Sequence, residues 1–500
     1  MKMRNVAIIA HVDHGKTTLV NQLLKCSNTF RQNEKIADRV MDSDPIERER
    51  GITILAKTTS VLYKDTKINI LDTPGHADFG GEVERIMHMV DGCLLLVDAF
   101  EGTMPQTRFV LKKAIEANVK PIVVINKVDR PNANPSKAVD EVLQLFMELG
   151  APDNFLDFKV AYCSALNGTS SLDPALSTQK EGMDPIFDLI LSEVPEPRVT
   201  HEGPLQLQVA MLDYNDYVGR MGIGRIQRGT IQNNTVVSCA RRDGSVQQFK
   251  IQKVIGYFGI KKQEIDTAEA GDIVAIAGLP DINVGETICD NSKVEPLPAI
   301  HIDEPTMTMT FGTNSSPFSG RDGNLLTARQ IQERLYKEVQ KDVSLRVQRI
   351  PNKESWIVAG RGELHLGILI ENMRREGFEL EVSRPQVIIK EINGVKCEPF
   401  EDLSVEVPNE YVGDIMTTLG TRDATLINMD AGDANTKIDY VIPSRGLLGF
   451  VSNYLTITKG YGIIAHTFKD YRPVEKKDIG ERQIGVLVAT EKGMATPYAI

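Results

Sequence analysis

Residues 6–17 read VAIIAHVDHGKT. Five apolar residues, Val6–Ala10, lead into a polar, glycine-bearing turn. The amphipathic stretch Thr17–Lys25 follows. A short buried strand, a turn and a helix in that order open an alternating β/α layer. The turn Ala10-His-Val12-Asp13-His14-Gly15-Lys16-Thr17 has the spacing of a phosphate-binding loop, with alanine at the first glycine position. Backbone N–H groups of such a loop, and of the helix it opens, point at phosphate oxygens. Lys16 is then expected at the β- and γ-phosphates, and the Thr17 hydroxyl on Mg²⁺.

Three further segments end apolar runs in the same half of the chain. Asp72-Thr-Pro-Gly75-His76 closes INIL; its carboxylate suits a water-mediated Mg²⁺ contact, and the Gly75 N–H suits a γ-phosphate. Asn126-Lys127-Val-Asp129 closes PIVVI. The Asp129 carboxylate can accept from the N1–H and 2-amino groups of guanine, which adenine does not offer. Ser164-Ala165-Leu166 closes another run and can supply a backbone N–H to guanine O6. Thr53, in RGITI between the first two motifs, is placed to close on Mg²⁺ and γ-phosphate and to release after hydrolysis. Four motifs in order at successive strand ends predict a domain that binds GTP and GDP.

The remainder of the 500 residues carries more than one further domain, since roughly 100–200 residues make a domain. Residues 1–200 read as a mostly parallel α/β domain. After Pro195, Pro197 and Pro204, residues 201–298 show short alternating strands with Asn-Asn and Asp-Gly turns, the pattern of an antiparallel β-barrel. Residues 299–390 read β-α-β-β-α-β, a ferredoxin-like order, and 391–479 read as a second such α+β unit, with one helix over Gly446–Thr456. Residues 480–500 begin a further element. The fold class expected is therefore multidomain: an α/β P-loop domain, a β-barrel and two ferredoxin-like domains.

The net charge is −11, and no segment is strongly basic. This excludes nucleic-acid binding by blanket electrostatics. RNA contacts must be local, and the Arg-rich, neutral 301–400 stretch is where to look. Six cysteines stand without a CxxC pair, which tells against zinc ribbons and suits a reducing cytosol. The first apolar run is too short for a signal peptide, and no stretch approaches the roughly 18–20 apolar residues of a membrane span. A cytoplasmic protein without membrane contact is expected.

AHVDHGKTT, RGITI, DTPGHADF and NKVD together resemble the translational GTPases, elongation factors Tu and G and their relatives. GDIVAIAGL (271–279) and VGETICD (284–290) are similar to the second domain of that group, and residues 360–388 to the third domain of elongation factor G. NSSPFSGRDGN (314–324), MRREGFELEVSRPQ (373–386) and PSRGLLGFVSNYLT (443–456) resemble the BipA/TypA ribosome-associated GTPases, over nearly the whole chain. The resemblance implies that Lys16, Thr17 and Thr18 bind phosphate and Mg²⁺, and that Thr53 and Asp72 complete the metal shell. It implies that Asn126, Lys127 and Asp129 read guanine, and that His76 orders the attacking water. Val12 and Ile52 match an apolar gate for that histidine, and Asp13 a monovalent-cation ligand. The insert that elongation factor G carries between its two ferredoxin-like units is missing, which tells against a translocase. Family members continue past position 500 into a C-terminal domain that contributes to ribosome binding, so the chain is expected to lack most of that domain.

The expected activity is ribosome-stimulated GTP hydrolysis in translation and large-subunit assembly, under stress, by a protein monomeric off the ribosome. The expected partners are ribosomal RNA and tRNA. Candidate RNA contacts are Arg321, Arg374, Arg375, Arg384 and Arg445, with Arg445 in the family's SRGLLGF pattern. For Arg374 and Arg375 a solvated helix face is the competing reading, given Glu371 and Glu376. Two rival activities remain open on sequence: a LepA-type back-translocation factor and a non-catalytic nucleotide sensor.

Overall fold

The computed structural model describes residues 2–27, 45–50, 53–74, 80–259, 261–300, 304–432, 434–475 and 479. They form two compact units, Met1–Gln386 and Val387–Ile500.

The first unit begins with an eight-stranded sheet. Its strands are β1 (Lys2–Ala10), β2 (Lys57–Tyr63), β3 (Thr66–Asp72), β4 (Gly92–Asp98), β5 (Pro121–Asn126), β6 (Val160–Ser164), β7 (Thr169–Ser171) and β8 (Lys180–Glu181). The spatial order is β2-β3-β1-β4-β5-β6-β7-β8. The central strands β3, β1, β4, β5 and β6 are parallel, and both edges are antiparallel. Alternation along β1 sends Val6, Ile8 and Ala10 to one face and Ala7 and Ile9 to the other, and each face meets its own apolar core. Helices α1 (Lys16–Cys26) and α7 (Asp184–Glu193) cover the first face with Leu19, Leu23, Phe187 and Ile190. Helices α3 (Gly80–Met87), α4 (Pro105–Glu116) and α5 (Pro135–Glu148) cover the second with Val83, Leu111 and Phe146. The short helix α6 (Asp153–Leu156) adds Phe155 to the second core, while α2 (Pro45–Arg50) packs its Ile46 in a separate small cluster with Ile54 and Ile368.

This arrangement brings the C-terminal ends of β1, β3, β4, β5 and β6 to one rim, where ligands of open parallel sheets bind. Strand β2 was not anticipated. Its sequence is half polar, and it is joined to β3 by Lys64-Asp65 rather than a glycine-bearing hairpin turn; Lys64 takes the left-handed backbone itself, at φ 50°.

Residues 206–289 form an eight-stranded antiparallel sheet and a two-stranded ribbon around Leu207, Val209, Ile226, Val254, Val274 and Ile288. The outer edge of β2 meets this β unit. Ser60 and Gly259 form an antiparallel bridge, Gly259 N donates to Ser60 O at 2.8 Å, and the Thr59 and Ser60 hydroxyls donate to the carbonyls of Gly259 and Tyr257. A polar seam continues beneath. Asn69 donates to Asn5 at 2.8 Å, and Asn5 donates to Gly271 O at 2.9 Å. Lys67 pairs with Asp272 at 2.8 Å and Arg225 with Asp91 at 2.9 Å.

Residues 307–382 follow the β-α-β-β-α-β order. Strands 346–349, 355–360, 307–313 and 380–382 lie side by side in that order, with helices α8 (Ala328–Lys341) and α9 (Glu363–Arg375). Thr327 starts α8 by accepting from Gln330 N, the capping-box arrangement.

The second unit repeats this topology around a core of Leu403, Val405, Ile415, Ile438, Phe450 and Tyr454. Helix α10 (Val412–Gly420) is as expected, but the helix anticipated over Gly446–Thr456 is two: α11 (Ser444–Leu447) and α12 (Phe450–Ile457). The break is Leu448-Gly449, with Gly449 at φ 69°. Arg422 donates to the Gly446 and Leu448 carbonyls at 2.7 and 3.1 Å, which satisfies acceptors that a continuous helix would have used internally.

Candidate functional site

The loop between β1 and α1 is shaped by two left-handed residues, Asp13 (φ 63°) and Gly15 (φ 95°). A Cβ on Gly15 would lie 2.5 Å from Asn126 Nδ2, so only glycine fits beneath that side chain. Lys16 is nearly fully buried. Its ammonium donates to the Thr73 carbonyl and lies 3.4 Å from the carboxylate of Asp72, which is fully buried at the end of β3. Thr17 and Thr18, half-buried, stand in the first turn of α1, which has no side-chain cap and no acidic residue. That leaves a helix N-terminus suited to phosphate. Val12 is half-buried, and its N–H donates to Gln106 Oε1 at 3.4 Å.

Thr53 is buried at the start of the segment leading into β2. That segment is fastened by Glu47 of α2, itself buried, which accepts from Ile54 N at 3.0 Å and Leu55 N at 3.4 Å and pairs with Lys57. Ile46 and Ile54 pack on Ile368 and Leu364 of α9. The Glu49 carboxylate receives the Arg375 guanidinium through two bonds of 2.8 and 2.5 Å. Gly75, His76 and Ile52 lie outside the described residues.

Thr17, Thr53 and Asp72 offer two hydroxyls and a carboxylate, the hard oxygen donors Mg²⁺ selects. Among the described residues no cluster of three or more His, Cys, Asp or Glu could form an all-protein metal cage. The donor set therefore fits an ion that keeps water and phosphate oxygens in its shell.

The strand-end motifs beyond β4 are tied to this loop. Asn126, buried at the end of β5, donates to His14 O at 2.8 Å and accepts from Ala165 N at 2.9 Å. Its amide thus spans the phosphate loop and the 164–166 loop, and the Ala165 N–H is occupied. Lys127, left-handed at φ 60°, donates to Asp13 O at 2.6 Å. Asp129 is exposed and accepts from Asn167 at 3.2 Å; Ser164 is buried, and Leu166 is 80% exposed. His14 is fully buried, with Nδ1 3.3 Å from Leu96 O and Nε2 3.4 Å from Glu101. The neighbouring His14 imidazole holds the Glu101 carboxyl below its ordinary range, against a smaller opposing effect of burial.

The model of the elongation factor Tu GTP binding domain matches residues 1–196, that of elongation factor G domain 2 residues 204–291, that of its domain III residues 326–384, and that of its C-terminus residues 395–482. A large ribosomal subunit assembly factor BipA from Bacillus subtilis (strain 168) is 56% identical over 499 residues, spanning 100% of this chain and 81% of that protein. Those of Escherichia coli (strain K12) and Synechocystis are each 52% identical, again over 100% of this chain and over 82% and 83% of their own lengths. This chain belongs to the BipA family. It is a GTPase with a guanine-nucleotide-binding domain. A crystal structure from Thermus thermophilus shares the fold, with a TM-score of 0.65 at 17% identity over 95% of this chain and 98% of that one.

Within the BipA frame the arginines singled out by sequence are not equivalent. Arg321 and Arg384 are exposed, and Arg321 stacks over Phe318 at 5.0 Å. Arg374 is exposed and paired with Glu371 at 2.9 Å. Arg375 is held by Glu49 and Glu371, and Arg445 by the buried Glu398 at 2.6 Å and by Glu475 O at 2.8 Å. In this structure both of the latter spend their guanidinium groups within the chain. Sequence reading missed Asp98, Glu101 and Glu47. Asp98 closes the apolar run CLLLV as Asp72 closes INIL, and that shared signal at a parallel strand's end would have found it.

Proposed function

We propose that this GTPase acts on the ribosome, in assembly of the large subunit, with its hydrolysis stimulated there. The observation that carries the reading is the convergence of Lys16, Asp72, Asn126 and Lys127 on one sheet rim. The name of its relatives, large ribosomal subunit assembly factor, supplies the setting. The division at 1–200, 201–298, 299–390 and 391–479 belongs to the same proposal and is supported by the four matching models.

The chemistry is phosphoryl transfer to water, in which positioning and charge do most of the work. Loop N–H groups and Lys16 bind the β- and γ-phosphates, and Asp129 selects guanine. Ala165 N is taken by Asn126, so a contact to guanine O6 falls to a neighbouring N–H of that loop. Thr17 and Thr53, with Asp72 acting through water, would hold Mg²⁺, which would supply neutralisation of phosphate charge. Asp13 is the ligand for a monovalent cation. His76 orders the attacking water, behind the gate of Val12 and Ile52. Arg321 and Arg384, both exposed, are the RNA contacts in this reading, and Arg374, Arg375 and Arg445 would have to leave their ion pairs to join them. The protein works in the cytoplasm, as a monomer off the ribosome; among the described residues no helix is long and apolar enough to cross a membrane.

The test is GTP turnover by the chain, alone and with intact ribosomes. Slow turnover alone and a rise of at least about tenfold with ribosomes are expected, within the ~10⁵-fold a partner can supply. Lys16→Ala abolishes nucleotide binding; His76→Ala retains binding and loses the stimulation. Stimulated turnover that survives His76→Ala would remove that residue from the mechanism, and no ribosome effect would sink the setting.

A further inference from the structure

Asp98 is the last residue of β4, in register with Asn126 of β5, and its carboxylate is fully buried. Both oxygens are committed. Oδ1 accepts from Phe100 N at 2.8 Å and Glu101 N at 3.4 Å; Oδ2 holds the Lys127 ammonium at 2.7 Å and meets Arg130 at 3.3 Å. The same ammonium donates to the Asp13 carbonyl at 2.6 Å. Lys127 therefore bridges a buried anion and the backbone of the phosphate loop. Its two loop ends are both non-glycine residues in the left-handed region, Asp13 at φ 63° and Lys127 at φ 60°. Such conformations persist only where the surroundings fix them. A carboxylate is costly to bury unless paired, so the lysine is held as firmly as the anion needs it.

We infer that Asp98 is a positioning residue of the nucleotide site. It fixes Lys127 against Asp13, and so sets the spacing between the phosphate loop and the 126–129 loop before nucleotide arrives. The inference rests on placing Lys127 in that site. A preset spacing spares the nucleotide the cost of ordering two loops, which shows mainly as slow dissociation. GDP and GTP gain alike, because nothing in the bridge depends on a γ-phosphate.

The experiment is a double-mutant cycle on the full chain, with GDP dissociation read by a fluorescent analogue and affinity by titration. Asp98→Asn is expected to weaken GDP about tenfold, mostly through faster release, and Lys127→Ala to weaken it at least as much. The double variant is expected to be no worse than Lys127→Ala alone. A merely structural aspartate would cost the same in both backgrounds, and that outcome overturns the inference. So does Asp98→Asn within about twofold of wild type beside a weakened Lys127→Ala. If Lys127→Ala itself leaves affinity unchanged, the placement of Lys127 in the site fails instead. Should Asp98→Asn not fold, Asp98→Thr, which keeps an acceptor for Phe100 N without the charge, carries the same cycle and the same criteria.

Discussion

Gly15 and Gly150 both have positive φ, 95° and 65°, yet their surroundings separate them. An alanine at 150 would meet nothing within 4 Å, whereas one at 15 would press on Asn126 Nδ2 at 2.5 Å. Gly150→Ala should therefore cost only the left-handed backbone penalty, about 1–2 kcal/mol, and leave GDP affinity unchanged. Gly15→Ala should carry that penalty and displace the Asn126 amide from His14 O and Ala165 N, with a loss of GDP affinity of at least about tenfold. Thermal melts and GDP titration of the two variants check the contrast. Residues of this kind were legible in the sequence because the phosphate-loop spacing needs glycine there. Asp98 carried a partial signal, as a carboxylate closing an apolar run, but its tie to Lys127 joins the ends of two strands and could not be read locally; nothing in the spacing announced the bonds of Glu47 to Ile54 N and Leu55 N.

Helix α9 has apolar residues on more than one side. Leu366, Leu369 and Met373 are buried, while Ile368 and Leu364 meet Ile46 and Ile54 of the segment that precedes β2. The run HLGILI carried the signal: it holds more apolar residues than one helix face needs, although nothing in it named the second contact. Ile368→Ala is expected to cost about 2 kcal/mol, the lower end for a core truncation, since its cluster is small. Arg375→Ala should cost less than Ile368→Ala, because its pair with Glu49 is exposed on the carboxylate side and screened by water. Denaturant unfolding of both variants gives the order, and a larger loss from Arg375→Ala would show the ion pair to be the stronger tie. Element types were largely readable from periodicity. Among the exceptions were β2 and the helix broken at Leu448-Gly449, where tertiary hydrogen bonds settled what local pattern left open.

At the scale of the molecule, the joint between the nucleotide domain and the β unit is buried and mixed: Met211, Ile223, Tyr257 and Ile273 continue an apolar core of the nucleotide domain, and the polar seam runs beside them. Asp91 is central to it: burial pushes its carboxyl above the ordinary range, opposed by Arg225 and Asn5. Arg225→Ala leaves that anion without its counter-charge and is expected to cost about 3–5 kcal/mol at neutral pH. A carboxyl whose folded pKa is raised loses stability as pH rises above its unfolded value, and removing the arginine strengthens that trend. The variant should thus recover part of its loss on acidification from pH 7 toward pH 5, as calorimetry would show; an equal loss at both values would place the cost in packing. The order of domains was legible because proline-rich joints and strand-turn patterns mark it, but the seam was not, since each of its residues reads as an ordinary solvated side chain. One consequence concerns solubility. Strand β2 ends its sheet with an edge that would otherwise offer bare N–H and C=O groups to any passing chain, and the bridge at Ser60–Gly259 closes it. The β unit is in this respect a built-in guard against self-association, and a nucleotide domain cut free of it would carry a sticky border into solution.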